Sequence, residues 1–400
     1  MPSNIIIIIL SSIVILSYIF NIISRKTNIP SVLLLIATGI GAQYISKYYG
    51  YGQQDVSKMV KILGAVGLLM IVLEAALDLK IDRSKVKLIS NSFSTALFVF
   101  LISAACIAFL FMQWLHVPFS QSFLYAIPMS IISSAIVIPS TSHLPERKKE
   151  FVIYESSFSD IIGILAFNYM LMKNLLSIKS AGIFLGNVVF AILISAVASI
   201  LLIFILTRIQ IGLKFFLLFA VLSLIYASGE LIHLPSLLVV LVFGLVLSNA
   251  KLIFTGKLKR ILPNPDIEPV LGLLHTMTAE TSFLIRTFFF ILFGYSIQLD
   301  VLVLPAVWQL GSLIVIVLLA ARFFYLRFIL KSDLFPELLL MPRGLITILL
   351  FYSIPLDRRM QDFNEGILFF VVAVTSLLMM VGLLFSKKED HEYIDDAERA

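Results

Sequence analysis

The chain has 400 residues and a net charge of +6, with 60% hydrophobic side chains and only 14% charged ones. A soluble domain carries about 25% charged residues, so the composition excludes a soluble globular protein and points to the membrane class. The charges lie between apolar runs, where they act as topology signals, which argues against a nucleic-acid surface and makes the lipid bilayer the expected partner.

The first segment, MPSNIIIIILSSIVILSYIF, has no basic n-region, and Arg25-Lys26 follows it in place of a small-residue cleavage site. It is expected to be a retained first helix, not a signal peptide. Apolar runs then recur to the far end, each near the length a spanning helix needs. They are continuous, not alternating, which favours helices over a β-barrel because lipid leaves no partner for unpaired backbone groups. The predicted fold class is an all-α polytopic membrane protein with about 13 transmembrane helices. The spans fall at 4–23, 30–46, 57–79, 91–113, 121–142, 151–173, 181–207, 213–229, 234–249, 282–299, 303–330, 336–356 and 365–386. Residues 387–400, KKEDHEYIDDAERA, are read as a short polar tail.

An odd number of spans puts the termini on opposite sides. Basic clusters such as Arg147-Lys148-Lys149 and Lys257, Lys259, Arg260 then fall on the side of the C-terminus. The positive-inside rule makes that side cytoplasmic and places the N-terminus outside. LEAALDL at 73–79 and LFGYSIQLD at 292–300 echo each other seven spans apart. That is the offset expected for inverted halves, about 1–173 and 212–386, linked by the helix 181–207.

Ionisable side chains inside spans cost roughly 2.5–3.5 kcal/mol at the helix centre on insertion scales. They are therefore candidates for function. Asp160 lies ~14 Å deep by helical rise, near the midplane of a ~30 Å core, and Glu155 only ~6 Å in. Ser156 and Ser157 stand at i−4 and i−3 to Asp160, so hydroxyl oxygens share its helix face. Carboxylate and hydroxyl oxygens suit a hard monovalent cation. A midplane carboxylate holding either a proton or a metal ion is the minimal machinery of an exchanger. Glu155 is expected to pair with Arg322, itself roughly 14 Å deep. Arg343 is divided between structure and gating, and Glu74 reads as interfacial, with gating as its alternative role.

Two spans carry helix breakers at corresponding places in the two halves. The fifth, AIPMSIISSAIVIPSTSHL (126–144), has Pro128, Pro139 and Ser133-Ser134; the twelfth, LLLMPRGLITILL (338–350), has Pro342 and Gly344. Proline frees carbonyls that can meet a cation, and paired interruptions point to a transport site.

ESSFSD at 155–160 resembles the ES-x-x-ND signature of the monovalent cation:proton antiporter superfamily, in its sodium/proton exchanger branch. SSAIVIP (133–139), FFFILFGYSIQLD (288–300), Ala321-Arg322 and PRG (342–344) are similar to further family segments in the same order. The resemblance implies an inverted-repeat antiporter fold with two broken helices, usually a homodimer. It implies Asp160 as the ion- and proton-binding carboxylate, with Ser133 and Ser134 near the ion path and Glu155–Arg322 as a structural ion pair; Ser156 and Ser159, next to Asp160 on its helix, complete the expected ion-binding set. Two departures stand out. Ser159 takes the place of the signature's Asn, and the Thr-Asp-Pro of the exchanger branch is missing from the fifth span.

The expected activity is exchange of Na⁺ or Li⁺, with K⁺ left open, for protons. It is expected to be electroneutral, with no cofactor beyond the transported ions, in the plasma or inner membrane. A uniporter or organic-anion carrier using Arg322 or Arg343 is the alternative. An intramembrane enzyme is a third reading, with His143, His233 and His275 near span ends as its only material.

Overall fold

A computed structural model describes residues 3–27, 29–49, 57–79, 83–141, 144–172, 178–208, 214–231, 236–250, 268–297, 299–361 and 363–398. Among the described residues the secondary structure is helical throughout, with no strand. In order come α1 Ser3–Thr27, α2 Ser31–Tyr48, α3 Ser57–Asp78, α4 Val86–Leu115, α5 Phe119–Ser130, α6 Ser134–Ser140 and α7 Glu146–Met170. They are followed by α8 Ile178–Arg208, α9 Lys214–Leu231, α10 Ser236–Ser248, α11 Glu268–Ser296, α12 Pro305–Phe324, α13 Leu345–Tyr352 and α14 Glu365–Glu398. Tyr325–Leu330 continues α12 as a wider π turn. Among the described residues, seven stretches are long and apolar enough to cross a membrane by length and composition, including Val86–Leu115, Phe119–Ser140 and Pro305–Leu330. Much of α1 and α8 carries exposed Ile, Leu and Val, the surface a lipid-facing helix presents.

The chain divides into two compact units. One comprises Met1–Ala65, Lys87–Gly163 and Leu284–Ala400; the other comprises Val66–Val86 and Ile164–Phe283. In the second unit α8 and α9 both pack on α10. Ser195 donates to the Val239 carbonyl at 2.6 Å, and Asn249 to that of Leu79 at 2.9 Å. His275 and Asp78 also meet there, Nε2 to Oδ1 at 2.6 Å.

In the first unit α2 and α11 cross almost backbone to backbone. A Cβ on Gly39 would lie 2.8 Å from the Tyr295 amide nitrogen and would overlap the Ile291 carbonyl, while one on Gly294 would overlap that of Ile36. Small residues allow such approach where hydrophobic burial supplies no drive between helices.

The structure corrects three spans. The span at 336–356, expected to be interrupted at Pro342 and Gly344, is helical only over Leu345–Tyr352, and residues 331–344 are turns and extended chain. Pro336 and Pro342 have no N–H to give a helix, and each disfavours helical geometry in the residue before it. The span expected at 282–299 belongs to a longer helix starting at Glu268. Its first turns carry Glu268, His275 and Glu280, which an apolar window passes over. The sixth span likewise begins earlier, at Glu146, because the charged ERKKE is helical too. Lys257, Lys259 and Arg260, used for topology, and His143 and His233 lie outside the described residues.

Candidate functional site

The site grows out of two breaks in the first unit. Helix α5 ends at Ser130, residues 131–133 are extended, and α6 resumes at Ser134. The second break is the 331–344 segment before α13. The two touch directly, the Ser133 amide donating to the Pro342 carbonyl at 2.9 Å.

A broken helix leaves backbone groups without partners, and buried ones must find them elsewhere. Here each partner is identifiable. The Ile132 amide donates to Ser159 Oγ at 2.9 Å, and the Ser134 amide to Asp160 Oδ2 at 3.2 Å. The freed carbonyls go to Arg343. Its Nε donates to Met129 at 2.9 Å, Nη1 to Met341 at 2.5 Å and Nη2 to Ser130 at 3.4 Å. A guanidinium at the C-terminal end of α5 also opposes that end's partial negative charge. The Arg343 amide donates to Thr375 Oγ1 on α14 at 3.0 Å.

Pro139 frees one more acceptor. Having no N–H, it leaves the Ala135 carbonyl without its helical donor. Arg286 on α11 fills the gap, Nη1 to oxygen at 3.1 Å. Sequence reasoning passed over Arg286, although it stands in the tenth predicted span. The proline four residues after Ala135 was the available signal.

Helix α7 supplies the carboxylates. Glu155 and Arg322 are both completely buried and form a bidentate pair, Nη1 to Oε1 and Nη2 to Oε2, the latter at 2.8 Å. Arg322 Nε donates to the Glu337 carbonyl at 2.7 Å, which fastens the extended segment to α12. Asp160 sits 4% exposed. Its Oδ2 accepts from Ser134 twice, from the amide and from Oγ at 2.5 Å, while Oδ1 has no hydrogen-bond partner. One turn further on, Gly163 makes room for the break: Ile131 occupies the space a Cβ would take.

The structure thus brings Asp160, Ser159, Ser133, Ser134, Glu155, Arg322 and Arg343 into one unit around the two breaks. Ser156 is buried on the same helix, its Oγ donating to the Ile153 carbonyl at 3.1 Å. Glu74 is half-buried on α3, in the part of that helix that belongs to the other compact unit.

Interrupted helices that meet at a buried carboxylate, in an all-helical membrane protein, define a secondary transporter and not an enzyme. The chain belongs to the sodium/hydrogen exchanger family: a family profile described as "Sodium/hydrogen exchanger, transmembrane" matches residues 9–386. The fold is similar to that of the sodium proton antiporter MjNhaP1 from Methanocaldococcus jannaschii. Its structure at pH 8 has a TM-score of 0.69 and 18% identity, covering 96% of this chain and 99% of that one. An electron-microscopy structure of the same antiporter gives the same score and identity, covering 96% of each chain. Comparison with curated proteins gives no match.

Proposed function

We propose that the protein exchanges Na⁺ or Li⁺ for protons by competition at Asp160, with alternating access through the two broken segments. The carrying observation is the state of that carboxylate. It is buried, it makes no ion pair among the described residues, and one of its oxygens is committed to Ser134 while the other has no partner. An anion in such surroundings needs a positive companion, and either a proton or a metal ion meets the need. Ser134, Ser133, Ser156 and Ser159 are the hydroxyl neighbours proposed to line the ion path. Acceptance of K⁺ is open within the same proposal.

One carboxylate alternating between one proton and one monovalent cation moves no net charge, so exchange is proposed to be electroneutral. Glu155 and Arg322 cancel each other and take no part in the swap. The alternative of an organic anion held by an arginine finds no support, because Arg322 and Arg343 direct three nitrogens each at protein oxygens. The excess of basic loop residues supports a cytoplasmic C-terminus and an outside N-terminus in a plasma or inner membrane. The sequence resemblance implies a homodimer, with Arg343 and Glu74 available for gating.

The test is reconstitution into proteoliposomes with an internal pH dye, followed by addition of Na⁺, Li⁺ or K⁺. Cation-driven proton movement is expected in the wild type and is expected to fall to background in Asp160→Asn. Flux that survives that substitution would overturn the assignment.

A further inference from the structure

Hydroxyls buried in helices normally donate back to a carbonyl three or four residues earlier. This chain follows the habit at Ser130, Thr141, Thr375 and Ser376, at 2.7–2.9 Å. Thr347, in the first turn of α13, does not. It is fully buried and its Oγ1 has no partner. Ser133 Oγ and Ser157 Oγ, also buried, share that condition with Asp160 Oδ1. Buried polar atoms without partners are rare, and each calls for a water or an ion.

Asp160, Ser133 and Thr347 belong to segments that meet at the two breaks. Ser134 holds Asp160, and its neighbour Ser133 lies against Gly344, where a Cβ would stand 2.6 Å from Ser133 Oγ. Thr347 follows Gly344 by three residues, in the first turn of the helix that Gly344 precedes. Unclaimed oxygens therefore stand on α7, in the first break and at the start of α13, three segments that meet at the two interruptions.

We propose that Thr347 is a specificity-determining residue, its hydroxyl supplying an oxygen from the second broken segment to the monovalent cation or to a water the cation retains. The inference rests on the exchanger reading above and adds a residue that reading does not contain. The number and strength of coordinating oxygens decide which cation a dehydrated site prefers. A hydroxyl from outside α7 adjusts both without adding charge.

The experiment compares wild type, Thr347→Val, Thr347→Ala, Thr347→Ser and Asp160→Asn in proteoliposomes, measuring KM and maximal flux for Na⁺, Li⁺ and K⁺. Removing the hydroxyl is expected to raise the KM of the preferred cation about fivefold or more. It should change the ratios among the three cations and leave maximal flux within about twofold. Thr347→Ser should restore both KM and ratios. Thr347→Ala serves if Thr347→Val does not fold, as judged by monodispersity in detergent. Unchanged KM and cation order in the hydroxyl-free variants would overturn the proposal, as would failure of Thr347→Ser to rescue. If the exchanger reading itself is wrong, the wild type shows no cation-driven flux or Asp160→Asn retains it. A wild type that depends on Asp160 beside an indifferent Thr347→Val sinks only the present inference.

Discussion

Glu155 and Arg322 show how a charge survives in this interior. Both side chains are fully buried, and every nitrogen of the guanidinium that could reach an acceptor has one. Removing one partner leaves the other as an uncompensated buried charge, which costs about 3–5 kcal/mol. Glu155→Gln alone is therefore expected to lower thermal stability in detergent severely. Glu155→Gln combined with Arg322→Met should recover much of the loss, since replacing a buried pair by apolar side chains is often near neutral. A double variant as unstable as the single one would show that the pair's worth lies in its hold on the Glu337 carbonyl. Asp160 is the counter-case, a buried carboxylate left without such a partner.

At the scale of elements, the first break depends on how closely α7 lets it approach. The Ile131 side chain sits where a Cβ on Gly163 would be, so any side chain at 163 must push that isoleucine, and with it the first break, aside. Ile132 in that break and Ser134 just after it carry the amides that bind Ser159 and Asp160. Gly163→Val is expected to reduce exchange at least tenfold, because a small misplacement of reacting groups has large rate effects. It should also destabilise the fold by about 1–3 kcal/mol, as overpacking does. Flux assays and thermal unfolding in parallel check this; wild-type transport in Gly163→Val would mean the break can shift without consequence.

Much of this element was legible in the sequence. Pro128, Pro139, Pro342 and Gly344 interrupt otherwise apolar runs, and Glu155 and Asp160 are rare charges in such surroundings. Less legible was who answers whom. Arg343 reads as a lone charge, and its duties to Met129 and Ser130 span 214 and 213 positions of chain. Thr347 reads as an ordinary threonine, because a missing hydrogen bond leaves no letter behind. Pro342 and Gly344 marked the second break, but its length, 331–344, was hidden by its own apolarity, which resembles a helix to any window that counts only greasy residues.

For the whole molecule, the proposed competition between proton and cation at one carboxylate predicts how transport varies with pH. Lowering the pH fills Asp160 with protons and raises the apparent KM for the cation, approaching about tenfold per pH unit once the protonated form dominates. Raising the pH removes the competitor, and KM levels off. Because both loaded forms carry the same charge, an imposed membrane voltage should leave the rate unchanged. Flux at stepped pH, with and without a valinomycin-clamped potential, checks both. A KM indifferent to pH, or a rate that follows voltage, contradicts a single shared site.

The bond between Arg286 and the Ala135 carbonyl exists because Pro139 gives that carbonyl no donor of its own. The two positions are therefore expected to be tied in evolution as they are in space. A descendant that replaces the proline by any residue bearing an N–H closes the helix locally and relaxes the demand for a cation on α11. One that loses the arginine first strands an acceptor in the interior. Neutral drift should take the first route more often than the second, so relatives without proline at 139 are where the arginine at 286 is expected to vary.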